Sequence, residues 1–149
     1  MITRVEANQY RCFRSMNQDL GPFHVLVGPN GSGKSTFLDV IAFLGTLMSQ
    51  GQETAIDERS ENFHDLVWGR EGSCFDLAIE ALIPEEKRVT IGTQKSYTIR
   101  YEVAVRIEPN SDAVVLSKEN LIVMSVDRSA EVSVITREST RTLFQPEDS

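Results

Sequence analysis

The chain has 149 residues, 40% of them hydrophobic and 25% charged, which suits one modest domain with a core or part of a larger one. Its net charge of −7 excludes wrapping of nucleic acid by bulk electrostatics, because affinity for phosphates needs a basic patch. No apolar run approaches the roughly 20 residues that cross a bilayer, and the N-terminal stretch lacks a secretory apolar region. Cys12 and Cys74 have no metal-ligand spacing, so reduced thiols in a cytoplasmic protein with no membrane partner are expected.

In chain order, residues 2 to 7 and 16 to 20 read as short strands around a turn, Tyr10-Arg11-Cys12-Phe13. Arg4, Arg11 and Arg14 read as a solvated face, too small for a specific nucleic-acid footprint. Gly21-Pro22 punctuates the chain, and Phe23-His24-Val25-Leu26-Val27 is an apolar run of buried-strand type. From Lys34 the period becomes helical, with Phe37, Ile41, Leu44 and Met48 on one line. Leu38, Val40 and Leu47 spread apolar character round the axis, which predicts a helix buried on most sides, under a sheet and against a second layer. Residues 52 to 62 read as a polar surface loop, with Trp68, Phe63 and Leu66 as a satellite core beyond it. Phe75 to Ile83 and Tyr97 to Ile107 alternate with period two, the second run most cleanly. Glu85-Glu86-Lys87-Arg88 between them reads as a charged surface turn. Pro109-Asn110-Ser111-Asp112 is turn chemistry, after which Ala113 to Leu116 and Leu121 to Val126 return as antiparallel partners. Weaker strands are expected at Val132 to Ile135 and Thr142 to Phe144. One strand, one loop and one helix are thus followed by meandering strands, not by strand–helix crossovers.

The chemistry is concentrated in Gly28-Pro29-Asn30-Gly31-Ser32-Gly33-Lys34-Ser35, which meets every fixed position of G-x-x-x-x-G-K-[ST]. Glycines at 28, 31 and 33 permit backbone angles that let amides close around phosphate oxygens. The helix beginning near Lys34 points its unsatisfied N–H groups and positive dipole end at the same oxygens. Lys34 is the candidate catalytic charge for the β- and γ-phosphates, and the Ser35 hydroxyl is the candidate Mg²⁺ ligand. Thr36 is placed to donate to the α-phosphate. The expected cofactors are ATP and Mg²⁺.

The form Gly-Pro-Asn-Gly-Ser-Gly-Lys-Ser-Thr resembles the Walker A motif of ABC-type ATPases. The lead from Ile2 to Phe13, with its aromatic–Arg–small–aromatic turn, resembles the opening of the RecF/SMC-like branch. His64-Asp65-Leu66-Val67-Trp68-Gly69-Arg70 before the next strand is similar to the segment that follows the Walker A helix there. The nearest match is to stand-alone predicted ATPases of the AAA_21 (AAA15) kind, some of which serve DNA repair or anti-phage defence. The resemblance implies an α/β P-loop NTPase fold of α+β character, in which a strand-rich antiparallel subdomain packs on the Walker A helix. It also implies that Arg11 reaches toward the nucleotide's phosphates; the competing reading pairs Arg11 with Asp19 or Glu6. Arg70 matches a less fixed arginine region.

The departures from the family pattern are as informative. The family's Walker B strand, signature motif and switch histidine lie in a C-terminal lobe, and this sequence shows none of them convincingly. Leu121 to Asp127 imitates a Walker B strand, but Ser125 breaks the apolar run and Arg128 stands where a catalytic glutamate belongs. Gln50, Gln52 and Gln145 are poorly placed for a Q-loop. Residues 1–149 are therefore expected to form the N-terminal lobe of an ATPase head. The implied partners are a C-terminal lobe, a second head in a homodimer or higher oligomer, and DNA or a nuclease or effector. A self-contained P-loop kinase or GTPase, and a non-catalytic ATP-sensing module, are the alternatives. His24 and His64 lack Cys partners at ligand spacing, so no zinc site is expected.

Overall fold

A two-residue turn at Arg11-Cys12 joins the first two strands into a hairpin whose polar and apolar residues alternate. In the computed structural model, which describes residues 1–90, 97–125, 131–137 and 141–142, β1 (Ile2–Tyr10) pairs antiparallel with β2 (Phe13–Asp19), with Tyr10 opposite Phe13. Both strands run longer than the sequence pattern suggests. Val5, Ala7 and Tyr10 point into the core, while Glu6 and Asn8 lie on the other face.

The chain then leaves the sheet. Residues 21–32 are exposed throughout and belong to no strand, and the last ladder bond is from Leu20 N to Thr3 O at 2.8 Å. The expected buried strand at Phe23 to Val27 is therefore corrected: Phe23 is 83% and Val27 87% exposed. No described strand offers this segment a ladder, and without a partner an extended apolar run has nothing to bury against.

α1 (Lys34–Gln50) returns to the sheet and packs on β1 and β3. Phe37, Val40, Phe43, Leu44 and Leu47 are buried, but Leu38 and Met48 are each 59% exposed, so the helix buries one broad face rather than most of its circumference. α2 (Gln52–Asp57) packs against α1 through Ala55 and Ile56, where a surface loop was expected. Two apolar residues are enough to pin one and a half helical turns. Short 3-10 turns at Phe63–Leu66 and Trp68–Arg70 lead into β3. Phe63 and Leu66 join the main core, whereas Trp68 remains 40% exposed.

β3 (Cys74–Leu82), β4 (Tyr97–Ile107), β5 (Val114–Ser125), β6 (Glu131–Arg137) and β7 (Arg141–Thr142) follow, with a short α3 (Glu85–Thr90) in place of the expected surface turn. All pairings are antiparallel, in the order β2-β1-β3-β4-β5-β6, with β7 also on β5. Because β3 inserts beside β1, the excursion from residue 20 to residue 73 starts and ends in the same half of the sheet. Its phosphate loop and helices therefore sit over β1 and β3. The meander is not the parallel crossover series of a self-contained kinase or GTPase. The core is centred on Tyr10, Phe43, Phe63 and Phe75, whose ring centroids lie 5.0–6.0 Å apart, within the range of favourable tilted and stacked pairs.

The sheet's other face carries charges rather than a second layer. Arg100 on β4 donates to Glu6 (2.6 Å), Glu80 (3.0 Å) and Glu102 (3.0 Å), tying β1, β3 and β4 together. Lys118 and Asn120 on β5 each reach Glu102 at 2.8 Å. Burial alone would raise the Glu102 pKa, but the bonds from Lys118, Asn120 and Arg100 outweigh it and hold the carboxyl at about 2. A depressed carboxyl contributes stability that is complete above its unfolded pKa and lost as pH falls through the folded one. Urea midpoints should therefore fall between about pH 4.5 and about pH 2. Glu102→Gln should flatten that fall, and an equally steep fall in the variant would remove Glu102 from the account.

Candidate functional site

The start of α1 is an uncapped positive helix end. Gly33 occupies the N-cap position with no side-chain cap, and the first turn holds no acidic residue. The first helical bond runs from Phe37 N to Gly33 O at 2.8 Å, so the amides of Lys34, Ser35 and Thr36 have no acceptor within the helix. Such an end attracts an anion.

The loop before it is closed rather than splayed. Ser32 N donates to Pro29 O at 3.2 Å, and Gly31 (φ 82°) and Gly33 (φ 92°) take left-handed angles. Lys34 turns inward: its Nζ donates to Gly28 O (2.7 Å), Pro29 O (2.6 Å) and Ser32 Oγ (3.2 Å). A Cβ at Gly28 would lie 2.7 Å from Ser32 Oγ, so a larger residue there would require the Ser32 side chain to move. Asn30 and Ser35 are exposed and Thr36 half-buried. Among the described residues no three His, Cys, Asp or Glu side chains gather as a metal site. Ser35, the expected Mg²⁺ ligand, stands at the loop–helix junction with no acidic residue in the first helical turn.

The β1–β2 turn docks on this junction. A Cβ at Gly33 would meet the Phe13 ring at 2.9 Å and Cys12 Sγ at 3.2 Å. Arg11 has φ 48° and its amide donates to Leu66 O at 2.9 Å. Its Nε lies 3.2 Å from Asp39 Oδ2 on α1, which corrects the alternative pairing with Asp19 or Glu6. Asp19 belongs instead to Arg4, at 2.7 Å. Asp39 also accepts from the Tyr10 hydroxyl (2.7 Å) and Arg59 Nε (2.8 Å). Burial and this bond push the Tyr10 hydroxyl well above its ordinary pKa. Sequence reading missed Asp39 and Arg59; the only signal was a charge on an otherwise apolar helix, whose partners come from β1 and from beyond α2.

Beside the junction lies an open cleft of about 530 Å³, lined by Arg11, Cys12, Thr36, Asp65, Gly69 and Arg70. Its rim is bent by left-handed angles at Gly69 and Arg70. Arg70 is paired with Asp65 at 3.3 Å yet largely exposed. Arg14 lies over the Trp68 ring, 5.7 Å from its centroid, so the three N-terminal arginines have three separate roles and form no common patch. His24 is hydrogen-bonded, its Nε2 accepting from Gly21 N at 2.6 Å. Asp127 and Gln145 lie outside the described residues.

Gly33→Ala would combine a left-handed angle with contact against Phe13. A loss of about 1–3 kcal/mol in unfolding free energy is expected, measured by urea titration. A neutral outcome would show that the turn does not press on Gly33 as described.

The chain matches the AAA ATPase domain family (AAA_15) over residues 1–148. It is similar to the OLD nuclease of Thermus scotoductus, 42% identical over 41 residues, covering 28% of this chain and 8% of that protein. It is also similar to structural maintenance of chromosomes protein 4 of Dictyostelium discoideum, 32% identical over 102 residues, which is 63% of this chain and 7% of that one. The chromosome partition protein Smc of Methanocaldococcus jannaschii is 31% identical over 78 residues, 52% and 6% of the respective chains. The matched segments thus span less than a tenth of these relatives' lengths. A solved structure from work on ATP-driven dimerization and DNA-stimulated activation of SMC ATPases overlays 84% of this chain and 69% of its own, at TM-score 0.46 and 20% identity. No helix among the described residues is long and apolar enough to cross a membrane. With a closed phosphate loop on an uncapped helix end, this chain belongs to the AAA ATPase domain family.

Proposed function

We propose that this chain is the ATP-binding lobe of an SMC/RecF-like ATPase head. The observation that carries the reading is the closed loop, in which Lys34 sits across the mouth of a backbone cup at the positive end of α1. Gly28 to Gly33 supply the cup, the free amides of Lys34 to Thr36 meet phosphate oxygens, and Lys34 exchanges its carbonyl partners for the β- and γ-phosphates. Ser35 holds Mg²⁺ together with the triphosphate, the metal screening the phosphate charge. The open cleft running from Thr36 past Arg11 adjoins the loop, where the remainder of the nucleotide would lie.

The exposed run from Phe23 to Val27 supports a further part of this reading. Four apolar side chains, Phe23, Val25, Leu26 and Val27, are exposed in sequence directly before the phosphate loop, and such a strip marks an interface. On this reading a C-terminal lobe covers the strip and supplies the carboxylates of hydrolysis. A second head then closes over the nucleotide, in a dimer that binding assembles and hydrolysis releases. Roles in DNA repair or anti-phage defence, with DNA or a nuclease as partner, fit the same cycle.

Two measurements test the proposal. Lys34→Ala should weaken Mg·ATP binding by about 2–4 kcal/mol, the scale of a lost charged donor to phosphate, by calorimetric titration; unchanged affinity would end the phosphate-loop assignment. Steady-state hydrolysis by the chain alone should stay near background. Ordinary turnover that is lost on Asp127→Asn would show that the chain is catalytically self-sufficient.

A further inference from the structure

We infer that Asp39 is a positioning residue: held by Tyr10 and Arg59, it grips the inner edge of Arg11 and presents that arginine's outer fork to a phosphate in the adjoining cleft. The inference rests on the nucleotide-binding reading above and adds to it a carboxylate behind the arginine that the phosphate-loop motif does not contain.

The bonding pattern separates the two arginines. Arg59 is the resident counterion. Its side chain is 8% exposed, it donates through Nε to Asp39 Oδ1 (2.8 Å) and through Nη1 to Ala55 O (2.8 Å), and its guanidinium lies 5.1 Å from the Phe43 centroid. The Tyr10 hydroxyl takes Asp39 Oδ2 at 2.7 Å. Each carboxylate oxygen therefore has an aligned donor before Arg11 is considered.

Arg11 is held differently. Its Nε is buried and stands 3.2 Å from Asp39 Oδ2, yet it makes no aligned hydrogen bond. Its side chain keeps 32% exposure, its guanidinium lies 5.8 Å from the Tyr10 ring centroid, and neither Nη makes a hydrogen bond among the described residues. The contact with Asp39 is thus an orienting attraction rather than a closed pair. Two guanidinium groups share this carboxylate, and the second acidic neighbour, Glu58, reaches only Arg59, at 3.7 Å, from a half-exposed position. Arg11 thus borders the cleft beside a carboxylate that already serves Arg59 and the Tyr10 hydroxyl.

The backbone points the same way. Position 11 sits at φ 48° in a two-residue turn, where glycine or asparagine fits without strain. A long cation there costs conformational energy, and such cost is concentrated at functional positions. The amide bond to Leu66 O then fixes the root of the side chain. A planar fork drawn toward Asp39 at Nε, with no hydrogen bond from either Nη among the described residues, suits two-point recognition of phosphate oxygens.

The test is a double-mutant cycle read in Mg·ATP affinity of the full chain, with Lys34→Ala in the same assay. Arg11→Ala leaves Asp39 paired with Tyr10 and Arg59 and should cost about tenfold in affinity. Asp39→Asn should cost about three- to tenfold while Arg11 is present, and nothing further in the Arg11→Ala background. A purely structural role would lower thermal stability in both backgrounds and change affinity equally in both, which would overturn the proposal. If Asp39→Asn does not fold, Asp39→Glu keeps the charge and displaces it by one methylene; wild-type affinity in that variant would also overturn it. Wild-type binding that is insensitive to Lys34→Ala would instead bring down the nucleotide reading, and this inference with it.

Discussion

Tyr10 holds two parts of the molecule to each other. Its ring is fully buried against Phe43 of α1 and Phe75 of β3, and its hydroxyl ends on Asp39, one turn along the helix from the phosphate loop. A buried hydroxyl needs an acceptor, so this bond, with the apolar packing of Phe37, Val40, Phe43, Leu44 and Leu47, ties α1 to the sheet. Arg11 and Cys12 follow Tyr10 directly and are carried to the helix start. Phe13 then packs where Gly33 leaves room. The hairpin turn is the wall against which the loop's last residues rest.

The electrostatics are local and opposed to the overall charge. An acidic chain gathers at the loop an uncapped helix end, the Lys34 ammonium and the Arg11 guanidinium, while its carboxylates are committed elsewhere. Glu6, Glu80 and Glu102 are spent on Arg100 across the sheet, and Asp39 is balanced by Arg59. Net charge therefore says little about what this face attracts. The same layered arrangement explains the different exposures of α1: the face toward β1 and β3 is closed, while Leu38 and Met48 open outward.

Much of this was legible from local pattern. Period-two alternation in Phe75 to Ile83 and Tyr97 to Ile107 marked β3 and β4, because one face of each strand meets the core. The phosphate loop was legible because its backbone angles and its charge demand particular residue types at fixed spacing. Apolarity misled at Phe23 to Val27, since a strand is buried only when another element covers it and hydropathy does not say whether one does. Polarity misled at residues 52 to 57, where Ala55 and Ile56 alone dock α2 on α1.

By itself, then, the sequence determined the elements whose physics is short-ranged: the alternating strands, the helix after Lys34 and the glycine-permitted loop that precedes it. Tertiary structure decided the order of strands, with β3 beside β1. It also decided the contact of Arg11 with Asp39, the closure of Lys34 over Gly28 and Pro29, and the pairing of Asp39 with Tyr10 and Arg59. The contacts of Asp39 join residues 20 or more positions apart, and the geometry that brings them together belongs to the assembled sheet and helix rather than to any local run of residues.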